Sequence, residues 1–121
     1  MKAIICGGRG YVMPYEDWLW LDKLKDSIPI TEVIEGGALG VDRMGREWAR
    51  SRGLIVTTIP ADWRANGKAA GPIRNAQMAA TGDLVIAFPG GRGTDDMVRQ
   101  AEARGLPVYK PIAHLDSKTT Q

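Results

Sequence analysis

The sequence contains few of the residues from which disulfides and metal sites are built. Among its 121 residues there is one cysteine, Cys6, and one histidine, His114. A single cysteine excludes an intramolecular disulfide and a cysteine-based metal site, and the lone histidine near the C-terminus is typical of a solvated side chain. We therefore predict no metal site, and the low cysteine content is typical of a reducing compartment.

Long apolar runs and a large net charge are missing as well. No apolar segment approaches the ~20 residues that span a bilayer, and the first apolar run, residues 3–6, is shorter than the apolar region of a signal peptide. The formal net charge of +2 is too small to indicate nucleic acid as a partner by itself. We expect a cytoplasmic protein that has no membrane partner.

What the sequence does contain is a regular alternation of short apolar runs and helical patterns. Five runs predict strands, at residues 3–6, 32–35, 54–60, 83–88 and 106–110. The segments between them predict four helices. Near-continuous apolar strands separated by helices indicate an α/β fold, a single Rossmann-like doubly wound parallel sheet with helices on both faces. We assign residues 1–112 to this domain and residues 113–121 to a flexible C-terminal tail.

Local signals refine the predicted helices. Pro72 is expected in the first turn of the third helix, which ends at Gly82, and Thr94 is expected to cap the fourth helix through its hydroxyl. The segment between the third strand and the third helix is then a polar loop. Trp18 and Trp48 occur at helical spacing in the first two helices, and we assign both to the core or to a subunit interface.

Glycine-rich turns follow three of the five predicted strands. They read CGGRGY, EGGALGVDR and PGGRGTDD. In a doubly wound sheet the ligand lies beyond the carboxyl ends of the strands, where a glycine turn before a helix exposes amides that bind an anion such as phosphate. These turns therefore predict a phosphate-binding edge. The candidate binding residues are Gly8, Arg9, Gly36, Gly37, Gly40, Asp42, Arg43, Gly90, Gly91, Arg92, Gly93 and Thr94.

The charged residues of these turns allow more than one interpretation. Arg9 and Arg43 are placed to bind phosphate, and they are equally compatible with surface charges at the start of a helix. Asp42 either stabilises the helix dipole or accepts a hydrogen bond from a ribose hydroxyl.

A second group of candidates lies in the segment PADWRANGKAAGPIRN, residues 60–75. Lys68 and Arg74 would donate charge-assisted hydrogen bonds to phosphate oxygens, and Trp63 would stack on a base. The segment would then act as a lid; the alternative is a solvated connection with Trp63 folded onto the sheet. The candidate binding residues here are Asp62, Trp63, Lys68, Arg74 and Asn75.

Two common nucleotide motifs are not matched. A G-x-G-x-x-G fingerprint that starts at Gly8 has Met13 at the position of its third glycine. The lysine of a Walker A motif would be Lys68, which is followed by Ala69 instead of serine or threonine. The sequence supports neither a dinucleotide-binding Rossmann domain nor a P-loop NTPase.

Three blocks of the chain resemble one superfamily: GGALGVDRMGREWARSRG, IPADWRANGKAAGPIRNAQM and DLVIAFPGGRGTDDMVRQAEARGLPV. PGGRGTDDM resembles the P-G-G-x-G-T signature of the SLOG superfamily, whose Rossmann-like members include the LOG-type phosphoribohydrolases and the Smf/DprA DNA-processing proteins. The three blocks, in the same order, are similar to the bacterial and phage family DUF2493, the YspA/YpsA-related SLOG family. The resemblance implies a nucleotide or nucleotide-derived ligand, ADP-ribose-like or a nucleoside phosphate, with its phosphate at Gly90, Gly91, Gly93 and Thr94.

The resemblance also bears on enzymatic activity. LOG-type enzymes continue the signature to P-G-G-x-G-T-x-x-E and use that glutamate, with an arginine from an earlier helix, to cleave an N-glycosidic bond. Met97 stands at the glutamate position, and a thioether cannot transfer a proton. Arg74 matches the arginine, and Asp95 or Asp96 would be the replacement carboxylate, although successive helical residues point about 100° apart. Arg74, Asp95 and Asp96 are therefore the catalytic candidates.

Three functions stay open at this point. A binding module, a sensor or sequestering protein for a nucleotide-derived ligand, ranks first because of Met97. A LOG-like phosphoribohydrolase of a nucleoside monophosphate ranks second. Single-stranded DNA binding, as in the DprA-like relatives, ranks third because the net charge is small and Asp95 and Asp96 lie at the turn. Since superfamily relatives assemble, we expect a homo-oligomer, and we expect no cofactor besides the nucleotide-derived ligand.

Overall fold

The computed structural model describes residues 1–111; the predicted tail, residues 113–121, lies outside them. The strands are β1 (Lys2–Cys6), β2 (Glu32–Glu35), β3 (Ile55–Thr58), β4 (Leu84–Ala87) and β5 (Val108–Tyr109). The helices are α1 (Tyr15–Ser27), α2 (Val41–Ser51), α3 (Trp63–Asn66), α4 (Ala70–Thr81) and α5 (Arg92–Ala103). Within residues 1–111, none of the helices has both the length and the apolar character needed to cross a membrane.

All five strands run parallel in one sheet of order β3-β2-β1-β4-β5. The chain builds outwards from β1 through β2 to β3, then returns to place β4 on the other side of β1 before it adds β5. Strand order therefore reverses between β1 and β4, which is the point where doubly wound sheets bind ligands. The α/β fold predicted from the sequence is confirmed.

Side chains of β1 alternate between two apolar layers, one on each face of the sheet. Ile5 lies in the layer that contains Trp48 of α2, whereas Ile4 lies in the layer that contains Met97 of α5. Trp48 is fully buried, so its predicted place in the core is confirmed, and Trp18 packs against the same layer while partly buried. The two layers hold β1 at the centre of the molecule.

The segment after β3 differs from the predicted polar loop. Asp62 accepts a hydrogen bond from the Ala65 amide at 3.0 Å and so caps α3. This single turn continues through a 3₁₀ turn, Gly67–Ala69, into α4, which begins at Ala70. Pro72 lies in the first turn of α4, as predicted, because the amide it lacks would have no helical partner there. The candidate residues of this segment are therefore carried on a helical frame.

The predicted cap of α5 is wrong. α5 begins at Arg92, directly after Gly91, and no side chain caps it. Thr94 lies inside the first turn and is buried, with its hydroxyl so close to Gly90 that a Cβ on that glycine would overlap it. Gly90 allows this close approach because it has no Cβ, and α5 begins before the position that the hydroxyl pattern indicates.

Candidate functional site

The three glycine-rich turns lie side by side at the carboxyl edge of the sheet. The Gly8 amide donates a hydrogen bond to the Pro89 carbonyl at 2.8 Å, which ties the turn after β1 to the turn after β4. The Gly8 carbonyl accepts a hydrogen bond from the Val41 amide at 3.3 Å, which ties the same turn to the start of α2. Because β1 lies between β2 and β4, its turn is the centre of this edge.

The glycines of these turns fall into two groups with different roles. A Cβ on Gly40 would overlap the carbonyl oxygens of Gly8 and Arg9, and Gly40 has a φ of +73°. A Cβ on Gly90 would lie 2.7 Å from the Gly8 amide. These two glycines allow the turns to pack together. In contrast, within residues 1–111 no atom beyond the adjacent residues lies within 4 Å of a Cβ position on Gly91 or Gly93, so their backbone borders open space.

A cavity of about 1090 Å³ lies at this edge, at the upper end of the size of small-molecule sites, roughly 300–1,000 Å³. Most of the candidate residues line it. These are Gly8, Arg9, Gly36, Gly37, Asp42, Trp63, Lys68, Arg74, Asn75, Gly91, Arg92, Gly93, Thr94 and Asp96. The structure thus brings residues from all three turns and from α3, α4 and the intervening 3₁₀ turn to one space.

Five candidates lie outside the cavity lining. Gly40 and Gly90 pack the turns together, as described above. Arg43 pairs instead with Glu47 on the exposed side of α2, at 3.3 Å. Asp62 caps α3, and Asp95 is exposed to solvent. The positions of these five residues do not support the binding or catalytic roles predicted for them.

The lining also includes residues that were not among the candidates. They are Cys6, Gly7, Ala38, Pro60, Ala61, Gly71, Pro72, Met78, Met97 and Arg99. Most of them are apolar or small, and no sequence pattern identifies such residues as part of a cavity lining. Arg99 is different, because it lies three residues after Asp96 and helical spacing places both on one face of α5. That spacing is the signal by which it could have been found.

Arg74 is held in place by two hydrogen bonds. Its Nε donates to Oδ1 of Asn75 at 3.0 Å, and its Nη1 donates to the Gly36 carbonyl at 2.9 Å. The second contact explains the glycine at position 36, where a Cβ would overlap the guanidinium. α4 therefore presents a fixed cation to the turn after β2.

Asp96 is a cavity carboxyl that accepts three hydrogen bonds. It accepts hydrogen bonds from Asn75 at 2.9 Å, from Gln100 at 2.8 Å and from Arg99 at 2.9 Å. Partial burial acts to raise the pKa of Asp96, but these three hydrogen bonds together outweigh it and lower the pKa. Asp96 is therefore poorly suited to donate a proton.

Asp42 is a second carboxyl in the cavity lining, and its pKa is raised, not lowered. It is 8% exposed and accepts a hydrogen bond from the Ala38 amide at 3.2 Å. Burial raises its pKa, while hydrogen bonds from the backbone of Ala38 and Gly36 and the charge of Arg74 act against the increase. Of the two aspartates in the lining, Asp42 is the one whose surroundings favour the protonated form.

Cys6 and Met97 provide no reactive group. Burial, ahead of the charge of Asp42, raises the pKa of the Cys6 thiol to about 12, so the thiolate that would act as a nucleophile is not formed near neutral pH. Met97 is fully buried in an apolar layer of the core, although it also borders the cavity. The position at which LOG-type enzymes carry a glutamate therefore belongs to the core.

The N-terminus of α5 has the features of an anion site. The Asp95 amide donates the first backbone hydrogen bond of the helix, to the Gly91 carbonyl at 3.0 Å. The amides of residues 92–94 precede this bond and so have no partner within the helix. They lie next to the open backbone of Gly91 and Gly93, at the positive end of the helix dipole.

Comparison with known proteins agrees with this architecture. The family model for the YspA, cpYpsA-related SLOG family matches residues 1–65. Gene 61 protein of Mycobacterium phage D29 is 43% identical over 116 residues, which cover 88% of this chain and 93% of that protein. The X-ray structure of TM1055, a Northeast Structural Genomics Consortium target, has a TM-score of 0.68 at 22% identity, over 88% of this chain and 71% of that one. The chain therefore belongs to the YspA, cpYpsA-related SLOG family, a nucleotide-related family with a Rossmann-like fold.

Proposed function

We propose that this chain binds a nucleotide-derived small molecule, ADP-ribose-like or a nucleoside phosphate, with a phosphate against the N-terminus of α5. One observation carries the proposal: Gly91 and Gly93 border a cavity of about 1090 Å³ beside amides that have no helical partner. Exposed amides at a helix N-terminus bind anions. The nucleotide-related family supports a nucleoside as the remainder of the ligand.

The charge of the cavity wall supports an anionic ligand. Among the residues that the structure describes, five cationic side chains and two carboxylates line the cavity: Arg9, Lys68, Arg74, Arg92 and Arg99 against Asp42 and Asp96. The wall thus has three more cations than carboxylates, whereas the net charge of the whole chain is +2. A concave wall with excess positive charge attracts anions.

Trp63 supports a ligand with a flat ring. It begins α3, which the Asp62 cap holds in place, and its side chain is 55% exposed while it lines the cavity. An exposed indole beside cationic groups provides a stacking face for a base. In our proposal the base lies on Trp63 and the phosphate on α5.

Binding without cleavage is the form that the residues support best. Glycosidic cleavage needs a group that transfers a proton or stabilises the developing positive charge. The lowered pKa of Asp96 makes it a poor proton donor, Asp95 lies outside the cavity lining, and Met97 and the Cys6 thiol supply neither function. The protein would then sense or sequester its ligand.

Phosphoribohydrolase activity is the second candidate, and Asp42 is the observation that favours it. This carboxyl lines the cavity, and burial raises its pKa, as expected of a proton donor. Purified protein incubated with AMP, and analysed for adenine and ribose 5-phosphate by chromatography, tests this candidate. Release of adenine by the wild type and not by Asp42→Asn would put hydrolysis ahead of simple binding.

Calorimetric titration tests the proposed binding. The titrants are ADP-ribose, AMP, ribose 5-phosphate and adenosine. A deoxythymidine oligonucleotide is titrated as well, to test for nucleic-acid binding. We expect ADP-ribose or AMP to bind at least about tenfold more tightly than adenosine, since charge-assisted hydrogen bonds to phosphate are worth roughly 1.5–3 kcal/mol. Equal affinity for adenosine and AMP would mean that the site does not bind the phosphate. Oligonucleotide binding with a steep salt dependence would instead support nucleic acid.

A further inference from the structure

Asn75 uses its side chain entirely within the protein. It is 3% exposed although it lines the cavity. Its Oδ1 accepts the hydrogen bond from Nε of Arg74, and its Nδ2 donates twice, to the Gly93 carbonyl at 3.1 Å and to Oδ2 of Asp96 at 2.9 Å. An asparagine amide has two N–H donors, so none is left for a ligand.

The partners of Asn75 lie on the two helices that border the proposed phosphate position, α4 with Arg74 and the first turn of α5 with Gly93. Arg74 is fixed through Nε by Asn75 and through Nη1 by the Gly36 carbonyl. Among the residues that the structure describes, none accepts a hydrogen bond from Nη2 of Arg74. Gly93 lies in the first turn of α5, beside the exposed amides. Asn75 therefore joins the fixed cation to the helix N-terminus.

We infer that Asn75 is a positioning residue, which sets Arg74 and the first turn of α5 at the spacing that lets both bind one anionic group. The inference rests on the proposed function. It differs from the sequence-based expectation, in which Asn75 itself binds the ligand.

The chemistry of position 75 requires both an acceptor and donors. Aspartate would keep the acceptor for Arg74, but its second oxygen would face the Gly93 carbonyl and the Asp96 carboxylate. The charged groups that face this position are Arg74 on α4 and Asp96 and Arg99 on α5, with Asp42 and Cys6 beyond Arg74. Two carboxylates in contact share a proton, so one of the two pKa values of the pair rises well above the usual ~3.9.

Asn75→Asp therefore has a characteristic pH dependence. At pH 7.5 we expect the variant to bind ADP-ribose at least about tenfold more weakly than the wild type, because the loss involves hydrogen bonds to charged groups. As the pH falls towards 5, a growing fraction of the carboxyl pairs holds a proton, which restores one donor between the two side chains, and the ratio of the two dissociation constants should decrease. ADP-ribose is the probe because its diphosphate lacks the phosphate monoester ionisation near pH ~6.

Gln77→Glu is the matched control. It adds the same charge to an exposed position of α4, and Gln77 lies outside the cavity lining. We expect wild-type affinity for ADP-ribose at both pH values. Wild-type affinity of Asn75→Asp at pH 7.5 would overturn the inference.

A measurement without ligand separates this inference from the proposed function. In ¹⁵N-labelled protein, the Nε–H signal of Arg74, identified by its absence in Arg74→Lys, should be protected from exchange with water. Asn75→Ala should move this signal to the position of exposed arginines, and Gln77→Ala should leave it in place. If the signal is unchanged in Asn75→Ala, Asn75 does not fix Arg74. If the wild type binds no ADP-ribose, the ligand half of the inference fails with the proposed function, while the Arg74 signal still decides the contact.

Discussion

Arg52, directly after the last residue of α2, donates two hydrogen bonds of 2.8 Å to Asp22 of α1, one from Nε to Oδ1 and one from Nη2 to Oδ2. Oδ1 of Asp22 also accepts the indole N–H of Trp48 at 2.9 Å. The Arg52 guanidinium lies 5.5 Å from the centre of the Trp18 ring. One carboxylate thus connects the two helices on one face of the sheet and satisfies the polar atom of a buried tryptophan.

Asp22→Asn should reduce stability in a pH-dependent way. The hydrogen bond from Arg52 is the main reason that the pKa of Asp22 lies below its usual range. Because the folded value is the lower one, the stabilisation is present above pH ~4 and is lost as the pH falls through the folded pKa. We expect a loss of about 1 kcal/mol in the free energy of unfolding at pH 7, measured with urea, and a smaller loss once the pH lies below the folded pKa.

Asp26→Asn is the control for this prediction. Asp26 also pairs with a cation, Lys25, but at 3.8 Å and with its side chain 76% exposed. Its replacement should change the free energy of unfolding by no more than a few tenths of a kcal/mol. Equal losses in the two variants would mean that the Arg52 contact has no special role.

Gly40→Ala should destabilise the protein more than Gly53→Ala. Both glycines have a positive φ, +73° and +72°, so alanine is strained at either position. A Cβ on Gly40 would also overlap the carbonyl oxygens of Gly8 and Arg9, whereas a Cβ on Gly53 would meet no atom within 4 Å. Thermal unfolding of the two variants compares the costs. Equal losses would show that the turns after β1 and β2 are not packed as described.

Gly91→Val should abolish binding of ADP-ribose without unfolding the protein. Gly91 has a φ of −102°, and its Cβ position is free of protein atoms, so the new side chain would occupy the space proposed for the phosphate. Gly10→Val is the control, since that position is equally free of neighbours and lies outside the cavity lining. Calorimetry measures the affinity of both variants for ADP-ribose under conditions in which the same fraction of each is folded. Retained affinity in Gly91→Val would place the phosphate elsewhere.

Cys6 should resist alkylation in the folded protein. It is 7% exposed, and burial raises its pKa to about 12, so iodoacetamide at pH 7.5 meets neither an accessible sulfur nor a thiolate. Mass spectrometry should show labelling only when urea unfolds the chain. Rapid labelling of the native protein would mean that β1 opens locally at the cavity.

The sequence predicts the sheet and the meeting of its turns because both follow from local patterns. Apolar runs mark the strands, and parallel strands carry their glycine turns to one edge. The contacts of Asn75 leave no such pattern, since its partners Gly93 and Asp96 lie 18 and 21 residues away on another helix. The predicted cap at Thr94 is wrong for a related reason. Its hydroxyl suits a helix cap, but α5 begins at Arg92, two residues before Thr94.

The seam between β1 and β4 divides the chain into two halves that each supply part of the cavity wall, Gly8 and Gly36 from the first and Arg74 and Gly91 from the second. A bound molecule would contact both, so loss of structure in either half would release it. Ligand binding would then stabilise both halves together. The free energy of unfolding would increase by RT ln(1 + [L]/Kd), where [L] is the free ligand concentration and Kd its dissociation constant. In a cell, the resistance of such a protein to proteolysis would report how much of the metabolite is present.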